Sequence, residues 1–380
     1  MKKVSLVLLA LAGLVFASCN EGGGQIEPPV TPWDGVSKTA PVAGTFEEDG
    51  VTYDVYTINE ASELAWFADQ VNSGAAGAST MSIILNNDID LGNQEWTPIG
   101  YADFSALPSY PRTTETEYTA TPLFQGSIFG NGHTIMNVNL ESLVGPGRGI
   151  FGQIIGTVDS PSVVKDVHAV NVSVNGDGKW AGGLIGYVRN VKEISGCSVK
   201  NVTIETGEGL TSSETFGSGA LVGMVSNNAE ILISNCSSEN VTFGKTGWNN
   251  SGFIGKLWDN KKVTIQDCQP SMTIVRTYLY LDGTIDGIEY YLAPDGYNNS
   301  WFIGNITNRN GLELVINNVA NNSMNWIEQD SNGSQGNITF DERDAAFAWP
   351  YITIFDRYTD NTTATITVDG VQIFPATQPQ

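Results

Sequence analysis

Positive charge is scarce in this chain: 18 Lys and Arg stand against 41 Asp and Glu, a formal charge of −23 over 380 residues. Phosphate backbones are gripped by clustered cations, so nucleic acid is excluded as a partner. Only two histidines occur, His133 and His168. Neither has a partner at a spacing that a Ser-His-Asp or Cys-His arrangement needs. No Gly-rich phosphate loop is followed by Lys. After residue 18 no apolar run is long enough to cross a bilayer. Charged residues are too few for a disordered acidic tail, at 16%, and aromatics too many, at 10%. What the chain does contain is 42 Gly and 33 Asn, a composition of turns joining short strands.

The N-terminus reads as an address. Lys2 and Lys3 precede an uncharged apolar run, residues 4–16, which is too short for a membrane span and suits a signal peptide. Phe16-Ala17-Ser18-Cys19 resembles a bacterial lipobox, in which Cys19 becomes the acylated first residue of a lipoprotein; Phe16 stands where Leu is usual. The plain alternative is cleavage after Ala17, with Cys19 a stray thiol. The next stretch, NEGGGQIEPPVTP at 20–32, has almost no large apolar residue, as a flexible tether would. An acyl chain on Cys19 is the expected membrane contact.

A repeat runs through the middle. GIFGQI (149–154), GGLIGYV (182–188), GALVGMV (219–225) and GFIGKL (252–257) align Phe151, Ile185, Val222 and Ile254, at spacings of 34, 37 and 32 residues. WFIGNI (301–306) is a looser fifth copy. Between the copies runs a second block: VKDVHAVNVSV (164–174), ISGCSVKNVTI (194–204), ISNCSSENVTF (233–243) and IQDCQPSMTI (265–274), with GNGHTIMNVNL (130–140) in the same register. Within a block the apolar residues alternate with polar ones, the signature of short strands. A unit of this size cannot bury its own apolar face, whereas stacked units share one core. The expected fold is all-β, a right-handed parallel β-helix (solenoid) with an N-terminal α-helical cap. A β-sandwich is the main rival, but independent strands would not keep residue columns in step.

The G-x-[FLI]-[IFV]-G cores with their intervening N-C-S-x-x-N-V-T strands resemble the GLUG repeats of bacterial cell-surface proteins. The opening VYTINEASELAWFADQVNSG (55–74), SIILNNDIDLGNQEWTPIG (82–100) and LFQGSIFGNGHTI (123–135) is similar to the segment preceding GLUG repeats in lipoproteins and adhesin-like proteins of Gram-negative gut bacteria. The resemblance covers about residues 45–274. It implies a parallel β-helix on an outer membrane lipoprotein at the cell surface, and no single activity.

The expected organisation is a signal peptide at 1–18, a lipidated Cys and flexible tether at 19–44, and a strand and helix cap at 45–80. GLUG-type repeats follow at 81–275, then irregular last coils and a C-terminal cap at 276–380. In the cap, Thr57 and Glu60 can form a capping box, and Leu64, Phe67, Ala68 and Val71 share one apolar face.

Candidate site residues fall in columns. Val167, Cys197, Cys236 and Cys268 occupy one repeat position. Because Val167 shares it, the column reads as an inward thiol ladder, with a single disulfide or a metal site as the alternatives. His133 aligns with this column and is expected in the core beneath the cap, His168 on the outward phase; opposite faces exclude a two-His zinc site. Asn137, Asn171, Asn201 and Asn240 form a second column, each followed by Val, as a hydrogen-bonded ladder at a bend would require. Asp88 and Asp90 lie two apart on one strand, a weak candidate for Ca²⁺ or for a glycosidase acid pair against a solvated acidic surface. No other cofactor is implied. Trp180, Phe216 and Trp248 precede the second Gly of their motifs by 6, 7 and 7 residues. They form either an exposed row that stacks on sugar rings or docks a protein, or a satellite core beneath a turn. The expected function is a non-catalytic, lipid-anchored binding or adhesin-like module for a glycan or repetitive surface. The alternative is a polysaccharide lyase or glycoside hydrolase on the same scaffold.

Overall fold

A computed structural model of the chain describes residues 30–101, 124–141, 147–176, 180–206, 217–243, 250–270, 272–276, 280–285, 288–292, 299–300, 302–307, 311–319, 324–329, 335–338, 355–358 and 364–374. Cys19, Phe216 and Trp248 lie outside these residues, so neither the lipidation reading nor two of the three aromatics meets the structure. The unit 31–380 is mostly β, with one α-helix among the described residues.

The repeat columns are strand-pairing columns. Ile185 pairs in parallel with Phe151 and with Val222, Val222 with Ile254, and Ile254 with Ile303. In a second sheet His168–Gly176 pairs with Thr134–Leu140 and with Ser198–Thr206, which pairs onward with Ser237–Phe243. A third sheet runs Ser82–Leu85, Ile128–Phe129, Ser162–Lys165, Val191–Ser195, Ile231–Ser234 and Lys262–Gln266, again parallel. The chain visits these sheets in rotation, so parallel neighbours within the repeats come from adjacent repeats. The region after residue 276, where the lettering decays, continues all three: Met324–Gln329, Leu312–Asn317 and Phe355–Tyr358 each add in parallel register. Antiparallel hairpin partners, Gln335–Ile338 and Val371–Phe374, then end two of them.

Bends between strands fall on residues that tolerate positive φ. One bend column is Asn137, Asn171, Asn201 and Asn240, at φ 57°, 57°, 53° and 52°. Each resets the alternation within its strand. Ile135 points inward, and after Asn137 the inward residues become Val138 and Leu140. A second bend column is Asp166, Gly196, Asn235 and Asp267; a third is Asn190, Asn227 and Asp259.

The glycines of the repeat cores solve a close approach. A Cβ on Gly223 would lie 2.5 Å from the Trp180 carbonyl carbon and 2.8 Å from the Ala181 nitrogen. A fourth sheet of two-residue strands, Ala181–Gly182, Ser218–Gly219, Asn250–Ser251 and Asn299–Ser300, therefore rests directly on the outer side of the sheet holding Ile185–Arg189. That sheet is covered on both faces: every residue of Phe151–Ile155 and Val222–Ser226 is buried.

Before the repeats, Val42–Glu48 and Val51–Ile58 form an antiparallel hairpin whose second strand joins Ser82–Leu85. The helix Ala61–Asn72 buries Ala61, Leu64, Ala65, Phe67, Ala68 and Val71, and Phe67 meets Phe124 edge-on at 5.7 Å. The expected Thr57–Glu60 capping box does not form. Glu60 is the capping residue but its carboxylate accepts from the Ser62 hydroxyl and makes no capping bond, while the Glu63 carboxylate accepts from the Asn59 backbone N–H at 2.6 Å. The chain is also docked earlier than residue 45: the Trp33 N–H donates to Asp90 O at 2.9 Å, and the Trp33 ring meets Trp96 at 5.8 Å. Pro32 and Trp33 also seat against Gly92, where any Cβ would clash with the Trp33 carbonyl oxygen.

Candidate functional site

The Asn column is a continuous chain of hydrogen bonds. Asn240 Nδ2 donates to Asn201 Oδ1 at 3.1 Å, Asn201 to Asn171 at 3.0 Å, and Asn171 to Asn137 at 3.0 Å. Asn137 donates to Asp90 Oδ1 at 2.8 Å, so the ladder starts on a carboxylate. The same oxygen accepts from the Gly92 N–H. Asp88 is occupied in parallel fashion: its Oδ1 accepts from the Thr134 N–H at 2.8 Å and faces His133 Nδ1 at 3.3 Å. Both carboxylates thus anchor the second strand layer to the first. No group of three or more His, Cys, Asp or Glu able to hold a metal is gathered among the described residues.

His133 is not in the core column. The turn before it carries two left-handed residues, Asn131 (φ 53°) and Gly132 (φ 80°), where the later repeats have one. That extra reversal swings the imidazole outward to Asp88, leaving it half-exposed. His168 faces Ser198 Oγ at 2.8 Å.

Cys197, Cys236 and Cys268 are free and buried. Each thiol donates inward to the backbone: Cys236 Sγ lies 3.2 Å from Ser234 O and 3.6 Å from Ile194 O, and the other two repeat this pattern. Burial pushes the Cys236 thiol well above its ordinary pKa. At Cys236 this depletes the thiolate that oxidation and metal capture require, whereas the hydrogen bond from Cys236 lowers Cys268.

Trp180 does not belong to an exposed row. It is 2% exposed and stacks on Tyr187 at 4.8 Å, with Met224 and Ile155 in the same cluster. Packing gives the reason. The two-residue strand Ala181–Gly182, which Trp180 precedes, lies against the sheet of Ile185–Arg189, and the ring is enclosed between these layers with Tyr187 and Met224.

Three features had weak signals in the sequence. Asn228 and Asn260 make a second, buried ladder: Asn228 Nδ2 donates to Asn260 Oδ1 at 2.9 Å, and Asn228 Oδ1 accepts from the Val191 N–H. Their place after Asn227 and Asp259 marks a bend, but not its burial. Lys165 meets Glu48 at 2.8 Å and Asp49 at 2.6 Å, joining the hairpin tip to a strand more than a hundred residues later. Burial opposes its charge, yet the hydrogen bonds it donates to Asp49 and Glu48 hold the Lys165 ammonium above its usual range. Asp34 accepts from the Ser37 hydroxyl and from the Ser37 and Val36 N–H groups, which lowers its pKa to about 2.

Comparison of the chain with protein-family models, with curated proteins and with solved structures finds no match.

Proposed function

We propose that residues 31–380 wind as a right-handed parallel β-helix, with Ala61–Asn72 as its N-terminal cap, on a lipoprotein of the GLUG-repeat kind. An acyl chain on Cys19 anchors it to the outer membrane, and the repeats are displayed at the surface of a Gram-negative cell as a non-catalytic, adhesin-like module for a glycan or repetitive surface. The observation that carries this reading is residue-for-residue pairing of successive repeats, from Phe151 through Ile185, Val222 and Ile254 to Ile303. Such pairing repeats each outward side chain every ~4.8 Å, which suits a repeating ligand. Handedness follows from the rule that crossovers between parallel strands are right-handed in about 98% of cases. The helix supports the cap assignment because an open sheet end invites association unless covered. Asp88 and Asp90 favour a binder over a hydrolase, since each has a carboxylate oxygen engaged in hydrogen bonds that join strands.

Fractionation and a glycan array test this reading. Wild type partitions with membranes, and Cys19→Ala moves it to the soluble fraction. A mutant that stays with membranes removes the anchor, and an array without a hit removes glycan binding.

A further inference from the structure

The sequence triplets at 137–139, 171–173, 201–203 and 240–242 read Asn-Val-Asn, Asn-Val-Ser, Asn-Val-Thr and Asn-Val-Thr. Val138, Val172, Val202 and Val241 are all buried, so the flanking residues of each triplet face outward. Asn171, Asn201 and Asn240 are exposed; Asn139, Ser173, Thr203 and Thr242 are partly exposed. The third positions are in register, Asn139 beside Ser173, Ser173 beside Thr203, and Thr203 beside Thr242. Two polar columns therefore run side by side through four rungs.

We propose that this pair of columns is a binding face for a neutral, extended polysaccharide lying along the ladder; the proposal rests on the glycan-binding reading above. A carboxamide has two N–H donors and two acceptor lone pairs. Within the ladder Asn171 and Asn201 each spend one donor and one lone pair. One donor and one lone pair per rung stay available, beside the hydroxyl of Ser173, Thr203 or Thr242. Sugar hydroxyls, which both donate and accept, match such a grid. The rungs recur every ~4.8 Å, about the length of one sugar unit in an extended chain.

Charge selects the class of polymer. Beside the ladder Lys200 and Glu239 pair at 2.9 Å, and Glu205, further along the strand of Asn201, adds an exposed carboxylate that disfavours an anionic polymer. The chain as a whole carries −23, which repels polyanions. Each contact competes with water, so a monosaccharide gains little while a polymer spanning four rungs adds its contacts multivalently.

The test is affinity electrophoresis of the full chain in gels containing hydroxyethyl cellulose or polygalacturonate, with glucose as competitor. The neutral polymer is expected to retard the protein, polygalacturonate is not, and glucose is not expected to compete. Thr203→Lys with Thr242→Glu places on the face a pair copied from Lys200 and Glu239, leaves the Asn ladder intact, and is expected to weaken retardation on the order of tenfold. Melting of the variant near the wild-type temperature shows that the fold is retained. Retention of full binding by the folded variant overturns this face while glycan binding stands. Absence of retardation by the neutral polymer overturns the neutral-polymer assignment, and an array without any hit removes the glycan reading as well. If the double variant unfolds, Ser173→Lys, one rung away, reads the same loss.

Discussion

Asn201 donates its side-chain amide to Asn171 Oδ1 at 3.0 Å, across two strands and thirty positions of sequence. Both residues sit in the left-handed region, at φ 53° and 57°. One residue type thus meets two demands at once: a bend that β-branched residues resist, and a side chain that bonds its copy in the next repeat.

Replacing Asn201 separates these demands. Asn201→Gly keeps the backbone conformation and loses the ladder bonds, for a cost of about 1–2 kcal/mol. Asn201→Ala adds backbone strain of about 1 kcal/mol on top. Urea unfolding of both variants measures the difference. Equal stabilities would show that the left-handed bend costs nothing.

The thiol column tolerates shape but not charge. Cys236→Val keeps an apolar group of similar volume, as Val167 already does in its own repeat, and is expected to cost less than about 1.5 kcal/mol. Cys236→Asp buries an unpaired carboxylate and is expected to prevent folding at room temperature. Thiol titration of denatured protein lacking Cys19 is expected to count the three free groups, with or without prior reduction. A count of one before reduction would establish a disulfide.

Trp180 carries the opposite expectation to that of a ligand-stacking residue. With its ring buried against Tyr187 and Met224, Trp180→Ala is expected to destabilise by about 3–5 kcal/mol through the cavity it opens. A melting temperature within a degree or two of wild type would return the residue to the surface.

Stability is expected to fall at both pH extremes, by different groups. The Asp34 pKa is lowered to about 2 in the fold. Its contribution is therefore present above the unfolded value near ~4 and lost as pH falls through 2. Asp49 is also lowered, through its hydrogen bond to Lys165, and acts in the same direction. Lys165 is raised, so its contribution holds below the unfolded value near ~10.4 and fades as pH rises past it. Melting temperatures measured across this range check the signs. Asp34→Asn should flatten the acid limb only, and Lys165→Met the alkaline limb together with part of the acid one.

The pairing register was legible in the chain because parallel repeats put identical residue positions side by side. Phe151, Ile185, Val222 and Ile254 align by lettering and pair in space. The Asn ladder was legible for the same reason. The last coils read as irregular, yet Leu312–Asn317 and Phe355–Tyr358 keep the pairing without the letters. Parallel pairing asks only for an extended backbone and an inward apolar residue.

What the sequence determined alone is the periodicity: where strands start, which residues point inward, and which bends need Asn, Asp or Gly. Side-chain period and tolerance of positive φ are local properties, written residue by residue. Only the tertiary structure decided what covers an outward face. Trp180 is buried because the two-residue strand Ala181–Gly182 lies on the sheet of Ile185–Arg189. His133 leaves the core because its turn has one left-handed residue more than its counterparts. Lys165 is neutralised by a hairpin more than a hundred residues earlier in the chain. Burial of an outward residue depends on a second layer brought there by chain segments distant in sequence, and no pattern within one repeat encodes that arrival.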